Sequence, residues 1–306
     1  GLGFSPSFVW IKGRTNAASH QLFDTLRGAT YQISSDNNSN QTQNTQMLTS
    51  FDTDGFSLGN QSSVNGSGVN YVAWNWKANA VPTINTDGTI QSVVSANQAA
   101  GFSIVKWTGT GSAGTVGHSL SSAPEMIIVK KLATQDWYVY HKDLNSGTNP
   151  AYYFIRLNLT NAETLNASSG GSVWNSTAPT STVFSTGTTL QESSDYIAYC
   201  WHSVSSFSKI GSYSGTGAAG NNVAIGLPKE PEKLFKRSDK KEEQYWEREE
   251  LPRDLSRINS IFQWNDRPPA FKNKWVDYIE SEFDRRELGF WFYNNGKPTY
   301  ITGSHY

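Results

Sequence analysis

From Phe4 to Val204 the apolar residues come in short runs rather than at helical spacing. FSIVKW, EMIIVKK, WYVYHK, YYFIRLNL, VFSTG and DYIAYCWHSV are rich in Val, Ile, Tyr, Trp and Phe, and clusters of Gly, Asn, Ser and Thr separate them. Branched and aromatic side chains suit a pleated, half-buried surface, so each run predicts a strand and each cluster a turn. In Tyr196–Trp201 the alternation places Tyr196, Ala198 and Cys200 on one face and Ile197, Tyr199 and Trp201 on the other. Both faces are apolar, which predicts a central strand buried on both sides. In Tyr71–Trp76 the same alternation sets Tyr71, Ala73 and Asn75 against Val72, Trp74 and Trp76. The polar, uncharged stretch Ser34–Gln46 reads as a solvent-exposed hairpin end.

The runs repeat. Ser5–Gly13 (SPSFVWIKG) parallels Ala123–Lys131 (APEMIIVKK), Tyr71–Trp76 (YVAWNW) parallels Tyr196–Trp201 (YIAYCW), and Trp107–Gly114 parallels Tyr213–Gly220. Self-similarity at a fixed spacing is the mark of a repeated structural unit. One unit spans about 105 residues, and six strands in that length suit a small two-sheet sandwich. The expected division is 1–78, a first β-sandwich repeat without its opening strand; 79–100, a linker; 101–204, a complete second repeat; 205–226, the start of a third without a full partner sheet; and 227–306, a charged segment. The expected fold class is mainly β: tandem antiparallel β-sandwich repeats of jelly-roll type, with a small C-terminal helical segment ending in a β-hairpin.

The charged segment follows different rules. Residues 1–226 hold 10 Lys and Arg against 11 Asp and Glu; residues 227–306 hold 15 against 15, a roughly fourfold rise in density. Ser238 or Asp239 is placed to cap a first helix, and Pro252 to open a second with Leu255, Ile258, Ile261 and Phe262 along one face. Phe271, Trp275, Tyr278, Ile279 and Phe283 form the stripe of a third, which Gly289 ends. In GFWFYNNGKPTYIT, the Asn-Gly pair at 295–296 between aromatic and branched runs predicts a two-residue hairpin turn.

Charge narrows the partners. Both regions are close to neutral, which gives no electrostatic reason to expect nucleic acid or an anionic membrane. Cys200 is the single cysteine, so the chain has neither an internal disulfide nor a cysteine-based metal site. No apolar run approaches the ~20 residues that span a bilayer, and no signal segment is recognisable, although the chain opens on Gly1 rather than Met.

Candidate chemistry is sparse. His20, His118, His141, His202 and His305 are scattered, and no metal-ligand spacing joins them. Asp52-Thr-Asp54-Gly55 and Thr86-Asp87-Gly88 lack the further ligands of a calcium loop and read as turns. The Gly-Thr-Gly segments at 109–111 and 215–217 lack the helix and Lys of a phosphate loop. No Ser lies in a nucleophile elbow, and nothing singles out a carboxylate pair for glycoside hydrolysis. Trp74, Trp76 and Trp201 fall on strands expected in the core. Trp137 and Trp174, beside loops, are the candidates for exposure and for contact with a sugar. No catalytic residue, metal or cofactor is expected, and the chain reads as a non-enzyme.

Two resemblances follow from these residues. Gly101–Val204, with its GFSIVKWTGTGSAGTVGHSLSSAPEMIIVKK, WYVYHKDL, WNSTAPTSTVFS and YIAYCWHSV segments, and FSKIGSYSGTG after it, resemble tandem β-sandwich repeats of structural and tail-associated proteins of marine bacteriophages. The likeness covers residues 3–222 and implies a virion-associated module, made in the host cytoplasm, that contacts other virion proteins or host-surface glycans. Residues 228–306, with KLFKRSDKKEEQYWEREELPRDLSRI, QWNDRPPAFKNKWVDYIESEFDRRELGFWFYNNG and YITGSHY, resemble the N-terminal stretch of a phage large terminase subunit. The phosphate loop such a motor needs does not occur in the chain. The expected function is a non-enzymatic virion or tail module. The alternatives are an inactive packaging-ATPase fragment carried on an unrelated β region, by recombination or gene misassembly, and, more distantly, a polysaccharide depolymerase.

Overall fold

The computed structural model describes residues 1–79, 81–166 and 172–223, together with the backbone of short strands between 236 and 302. The chain divides into two compact bodies, Gly1–Pro228 and Lys229–Tyr306, beside the change in charge density. Every named strand pair is antiparallel, and the chain is mainly β.

In the first body, β1 (Phe8–Gly13), β2 (Gln21–Asp24), β3 (Tyr31–Gln32), β4 (Thr42–Gln43), β5 (Leu48–Asp52), β6 (Gly55–Leu58), one helical turn α1 (Ser62–Asn65) and β7 (Tyr71–Trp76) make the first repeat. Next come β8 (Thr83–Asn85), β9 (Ser92–Asn97), β10 (Phe102–Thr108), β11 (Gly114–Gly117), β12 (Met126–Lys131), β13 (Tyr138–His141), β14 (Tyr153–Arg156), β15 (Thr164–Leu165), β16 (Val183–Thr186) and β17 (Asp195–Trp201). The main sheet has eight strands in the order β15-β14-β13-β12-β17-β10-β9-β8; a smaller one has the order β2-β1-β7.

The repeat read from sequence is repeated in register. In the small sheet Phe8 pairs with Trp76 and Ile11 with Ala73; in the large sheet Met126 pairs with Trp201 and Val129 with Ala198. These are the pairs that the SPSFVWIKG/APEMIIVKK and YVAWNW/YIAYCW correspondences require. β2 matches β13 in the same way, Phe8 facing Asp24 where Met126 faces His141. Hydrogen bonds at the strand ends are duplicated too. Ser7 N–H donates to Trp76 O and Glu125 N–H to Trp201 O, both at 2.8 Å. Arg14 N–H donates to Asn70 O at 2.7 Å and Leu132 N–H to Asp195 O at 2.8 Å. Ser7 Oγ accepts from Ala78 N–H, and Glu125 Oε2 from Ser203 N–H.

Four layers result. One face of the large sheet, with Val105, Trp107, Ile127, Val129, Tyr196 and Ala198, packs against Val116 and Phe184 of the β11–β16 ribbon and against Trp174. The opposite face, with Phe102, Ile104, Ile128, Ile197 and Tyr199, packs on Phe8, Leu22, Ile33 and Trp76 of the first repeat. The far face of the small sheet, with Val9, Ile11 and Phe23, is covered by Met47, Leu48 and Val64. β17 is therefore buried on both faces, as its double apolar pattern predicts. No described helix is long and apolar enough to cross a membrane.

Several expectations change. Residues 79–100 are not a plain linker: β8 and β9 extend the large sheet from β10. Ser92–Asn97 is the second strand from the edge of the sheet and carries small and polar residues beside its two valines, without a continuous apolar face. The Ser34–Gln46 loop is only partly solvated, because Ser34 and Ser35 are buried under the second repeat. Residues 205–223 contain no named strand, and Phe207 and Tyr213 are 65% and 71% exposed.

In the second body, β18 (Lys236–Arg237) pairs with β19 (Trp246–Glu247), and β20 (Gly289–Asn294) with β21 (Lys297–Thr302). Asn294 faces Lys297, which is the two-residue spacing the Asn-Gly turn predicts, and Gly289 opens a strand. The first helix was expected to run on from Ser238 or Asp239; Trp246–Glu247 is strand instead. The second and third helices and the turn residues themselves lie outside the described residues.

Candidate binding surface

Trp137 and Trp174, the two candidates for sugar contact, are core residues, 0% and 2% exposed. Trp137 lies at the boundary between the repeats, where its Nε1–H donates to Ser34 O at 2.9 Å and to Asn37 O at 3.1 Å. Proximity to a loop misled here, because that loop is met by another loop from the first repeat. Trp174 packs edge-on to Tyr140 at 5.9 Å within the outer layer, and its buried Nε1–H has no partner among the described residues. Among the described residues the exposed indole is that of Trp74, 45% exposed although it stands on a strand. Trp74 meets Trp10 edge-on at 6.1 Å, and Trp10 Nε1–H donates to His20 Nδ1 at 2.7 Å. The aromatic face of β7 thus runs from the inter-repeat core out to solvent.

Titratable groups are used for structure. Asp24 and Arg27 form a fully buried ion pair at 2.5 Å, and Tyr199 O–H donates to Asp24 Oδ2 at 2.7 Å. Arg27 also donates to Leu22 O and Tyr31 O, so its fork is satisfied. Burial opposes the charge of Arg27, yet the Asp24 carboxylate holds its pKa above the ordinary value. Burial, then the Asp24 charge, push Tyr199 well up. This network binds the two repeats, and sequence gave no warning of it, because Tyr199 lies 175 positions from Asp24.

Lys12 and Lys130 share a second device. Lys12 Nζ donates to Gly13 O and Ala18 O; Lys130 Nζ donates to Lys131 O, Ala133 O and Gln135 O within 2.9 Å and to Asn38 O at 3.4 Å. Each ammonium therefore ties down the hairpin that follows its strand. Burial lowers the Lys130 pKa to about 8. His118 is buried, accepts from Leu120 N–H through Nδ1 at 3.1 Å and faces Thr180 O with Nε2 at 3.2 Å. The Leu120 bond makes Nδ1 the acceptor, so Nε2 carries the proton of the neutral ring. Burial lowers its pKa to about 4. Cys200 is buried in the central strand, and burial raises its thiol pKa. Among the described residues no three His, Cys, Asp or Glu converge as a metal-binding group.

Asp52–Gly55 forms a turn, as read from the sequence. Asp52 and Gly55 face each other across the β5–β6 turn, with Gly55 at φ 144°, and Asp52 accepts from Ser50 and Ser57 hydroxyls. Gly109 packs so closely on the Gln191–Glu192 backbone that a Cβ would lie 2.1 Å from Glu192 O.

A surface groove of about 460 Å³ lies beside β9, lined by Asn79, Thr83, Asn97, Gln98 and Ser119 with Ala78 and Ala96. The tight turn into β10 presents Gln98: Gly101 N–H donates to Gln98 O, and Gly101 sits at φ 63° with a hypothetical Cβ 2.6 Å from His202 O. Asn97 is structural, its Oδ1 accepting from Ala100 N–H and its Nδ2 donating to Lys77 O. Gln98 Nε2 donates to Ser119 O, while Asn79 is exposed. The lining offers amides and hydroxyls and carries no charge, a chemistry suited to a neutral polyhydroxylated ligand. Asn79 and Gln98 were missed in the sequence because they fall in the span read as a linker; the Gln98–Gly101 turn signal was the available clue.

No curated protein and no solved structure matches the chain. A family described as a domain of unknown function, DUF7483, matches residues 1–254, covering the described first-body residues and running past the change in charge density. With most of its length matched, the chain belongs to the DUF7483 family.

Proposed function

We propose that this chain is a non-enzymatic structural module of a phage virion or tail, whose β region works by surface contact with host-surface glycans and neighbouring virion proteins. The observation that carries the glycan reading is the uncharged, amide-lined groove at Asn79, Asn97, Gln98 and Ser119. Amide and hydroxyl groups can pair with sugar hydroxyls without desolvating a charge. The resemblance of residues 3–222 to phage repeats supplies the virion setting. The repeated scaffold supports a contact role: the duplicated residues hold strands and hairpins together, whereas the loops differ between copies.

The test is a glycan array and a host-cell binding assay with the 306-residue chain. Binding to a neutral glycan is expected, and Asn79→Ala with Gln98→Ala should weaken it at least about tenfold, the size of ~1.4 kcal/mol, with an unchanged melting temperature. Absence of binding to every glycan and cell type, or binding indifferent to both substitutions, would remove the glycan reading.

A further inference from the structure

The loop between β11 and β12 joins the interior of the second repeat to the wall of the groove. His118 is fully buried, whereas Ser119, the next residue, lines the groove. Both nitrogens of the buried ring are committed: Nδ1 accepts from Leu120 N–H at 3.1 Å, and Nε2–H donates to Thr180 O at 3.2 Å. The first of these bonds closes a tight turn in which Ser119 sits at φ 55°. A serine in the left-handed region is held there by its surroundings rather than by its own preference. Ser119 in turn carries two contacts of the groove. Its carbonyl accepts from Gln98 Nε2 at 3.1 Å, and its Oγ accepts from Asn85 Nδ2 at 2.9 Å.

A second proton on this ring has no place. Nδ1–H would meet Leu120 N–H, donor against donor, and an unpaired positive charge would stand in the interior. Among the described residues two titratable groups face the ring. His202, just after β17, opposes a charge on His118, and Asp87, in the connection between β8 and β9, favours one. Asp87 is itself engaged by Asn85 Nδ2 at 2.9 Å. Thr180 and Thr182, before β16, and Ser92 of β9 bond to the same loop and carry no charge. Burial is the largest influence, and it lowers the pKa of His118 to about 4.

We propose that His118 is an acid-sensitive latch on the groove. Protonation expels its ring from the interior, opens the turn at 118–120 and withdraws Ser119 from the lining, so that a ligand held at neutral pH is released in acid. The release of ligand rests on the glycan reading of the groove; the movement of the latch does not. Its direction follows from linkage. In the closed loop the ring titrates at about 4, and in water it returns to about 6.5. Below 6.5 the open loop binds a proton that the closed loop does not. Each fall of one pH unit therefore favours opening by up to about tenfold. The gain ends near 4, where the closed ring takes up the proton as well.

Amide hydrogen exchange on the 306-residue chain reads the latch without a ligand. After correction for the intrinsic rate, the protection of Leu120 should fall by up to about tenfold per pH unit between 6.5 and 4. His118→Asn keeps an acceptor oxygen two residues before Leu120 N–H, as in an Asx-turn, and does not titrate; its Leu120 protection should stay flat across the window. The binding arm uses the tightest neutral glycan of the array, measured at about pH 7 and about pH 4.5. Acid should weaken the unsubstituted chain at least about threefold, because only the closed fraction binds, and the ratio for His118→Asn should stay near one. Leu120 protection that ignores pH, or Leu120 exchange that occurs only together with the amides of β17, would overturn the latch. A glycan held equally at both pH values would overturn its coupling to the groove. If no glycan binds, the glycan reading falls, and Leu120 exchange alone decides whether the latch exists.

Discussion

The two repeats share one frame and differ in what they bury inside it. Strand order, register, the Pro6 and Pro124 lead-ins and the lysine-tied hairpins coincide. Yet the position facing Phe8 is Asp24, fully buried in an ion pair, while the position facing Met126 is His141, partly buried beside Asp143. The position before β2 is His20, partly exposed; its counterpart before β13 is Trp137, fully buried. The frame tolerates such exchanges because its cohesion comes from backbone ladders and from both sheet faces being covered. What differs is which repeat supplies the anchor at their common boundary: the first gives an ion pair to Tyr199, the second gives an indole to the Ser34–Asn37 loop.

The sharpest test separates the two members of one position. Asp24→Ala leaves Arg27 buried without its carboxylate and takes the hydrogen-bond acceptor from Tyr199. Breaking a buried pair from one side costs about 3–5 kcal/mol, which should show as a large fall in denaturation midpoint. His141→Ala, at the matching position, removes a ring whose only described hydrogen bond is to Asp143 N–H, and should cost about 0.5–1 kcal/mol. Equal losses would show that the boundary does not depend on this network.

Acid should act unequally as well. His118, in the second repeat, is neutral when folded, with its pKa lowered to about 4 by burial. His202 lowers it further, while the Thr180 carbonyl and Asp87 pull it upward. On unfolding it returns to about 6.5. Between those values the unfolded chain binds a proton that the folded chain does not, so stability falls as pH drops from 6.5 toward 4. The loss at the acid end is of the order of 3 kcal/mol. His20, in the first repeat, shifts in the same direction but is less enclosed. Chemical denaturation across this window should therefore flatten with His118→Gln more than with His20→Gln; the reverse ranking would refute the reading.

How much of this was legible follows from the range of each interaction. Strand identity and pairing register were readable because alternation and the Tyr71–Trp76/Tyr196–Trp201 match are local patterns that each copy states again. The double burial of Tyr196–Trp201 was readable for the same reason. β8 and β9 were not, since a peripheral strand such as Ser92–Asn97 needs few apolar residues and resembles a polar connection. Trp137 was misplaced because its cover comes from residues 34–37, about a hundred positions away. The groove was invisible for a related reason: Asn79 and Gln98 are brought together with Ser119 only by the sheet.

The smallest effects test what the repeats hold in common. Lys12 and Lys130 occupy the same place in the frame, and each ammonium bonds carbonyls of its own following hairpin. Lys130 reaches three such carbonyls plus Asn38 O of the other repeat, whereas Lys12 reaches two. Replacement by Met keeps the stem and removes only the donor, so the loss reports on stranded carbonyl oxygens. Leaving buried acceptors without partners costs about 1–3 kcal/mol, and Lys130→Met belongs at the upper end of that range. At Lys12 water can replace the ammonium, and Lys12→Met should cost about 0.5–1 kcal/mol. Hydrogen exchange should localise each change: faster exchange in residues 132–137 for Lys130→Met, and in residues 14–19 for Lys12→Met. If either substitution instead loosens both hairpins alike, the two repeats melt as one cooperative unit, and the shared lysine serves the pair rather than its own copy.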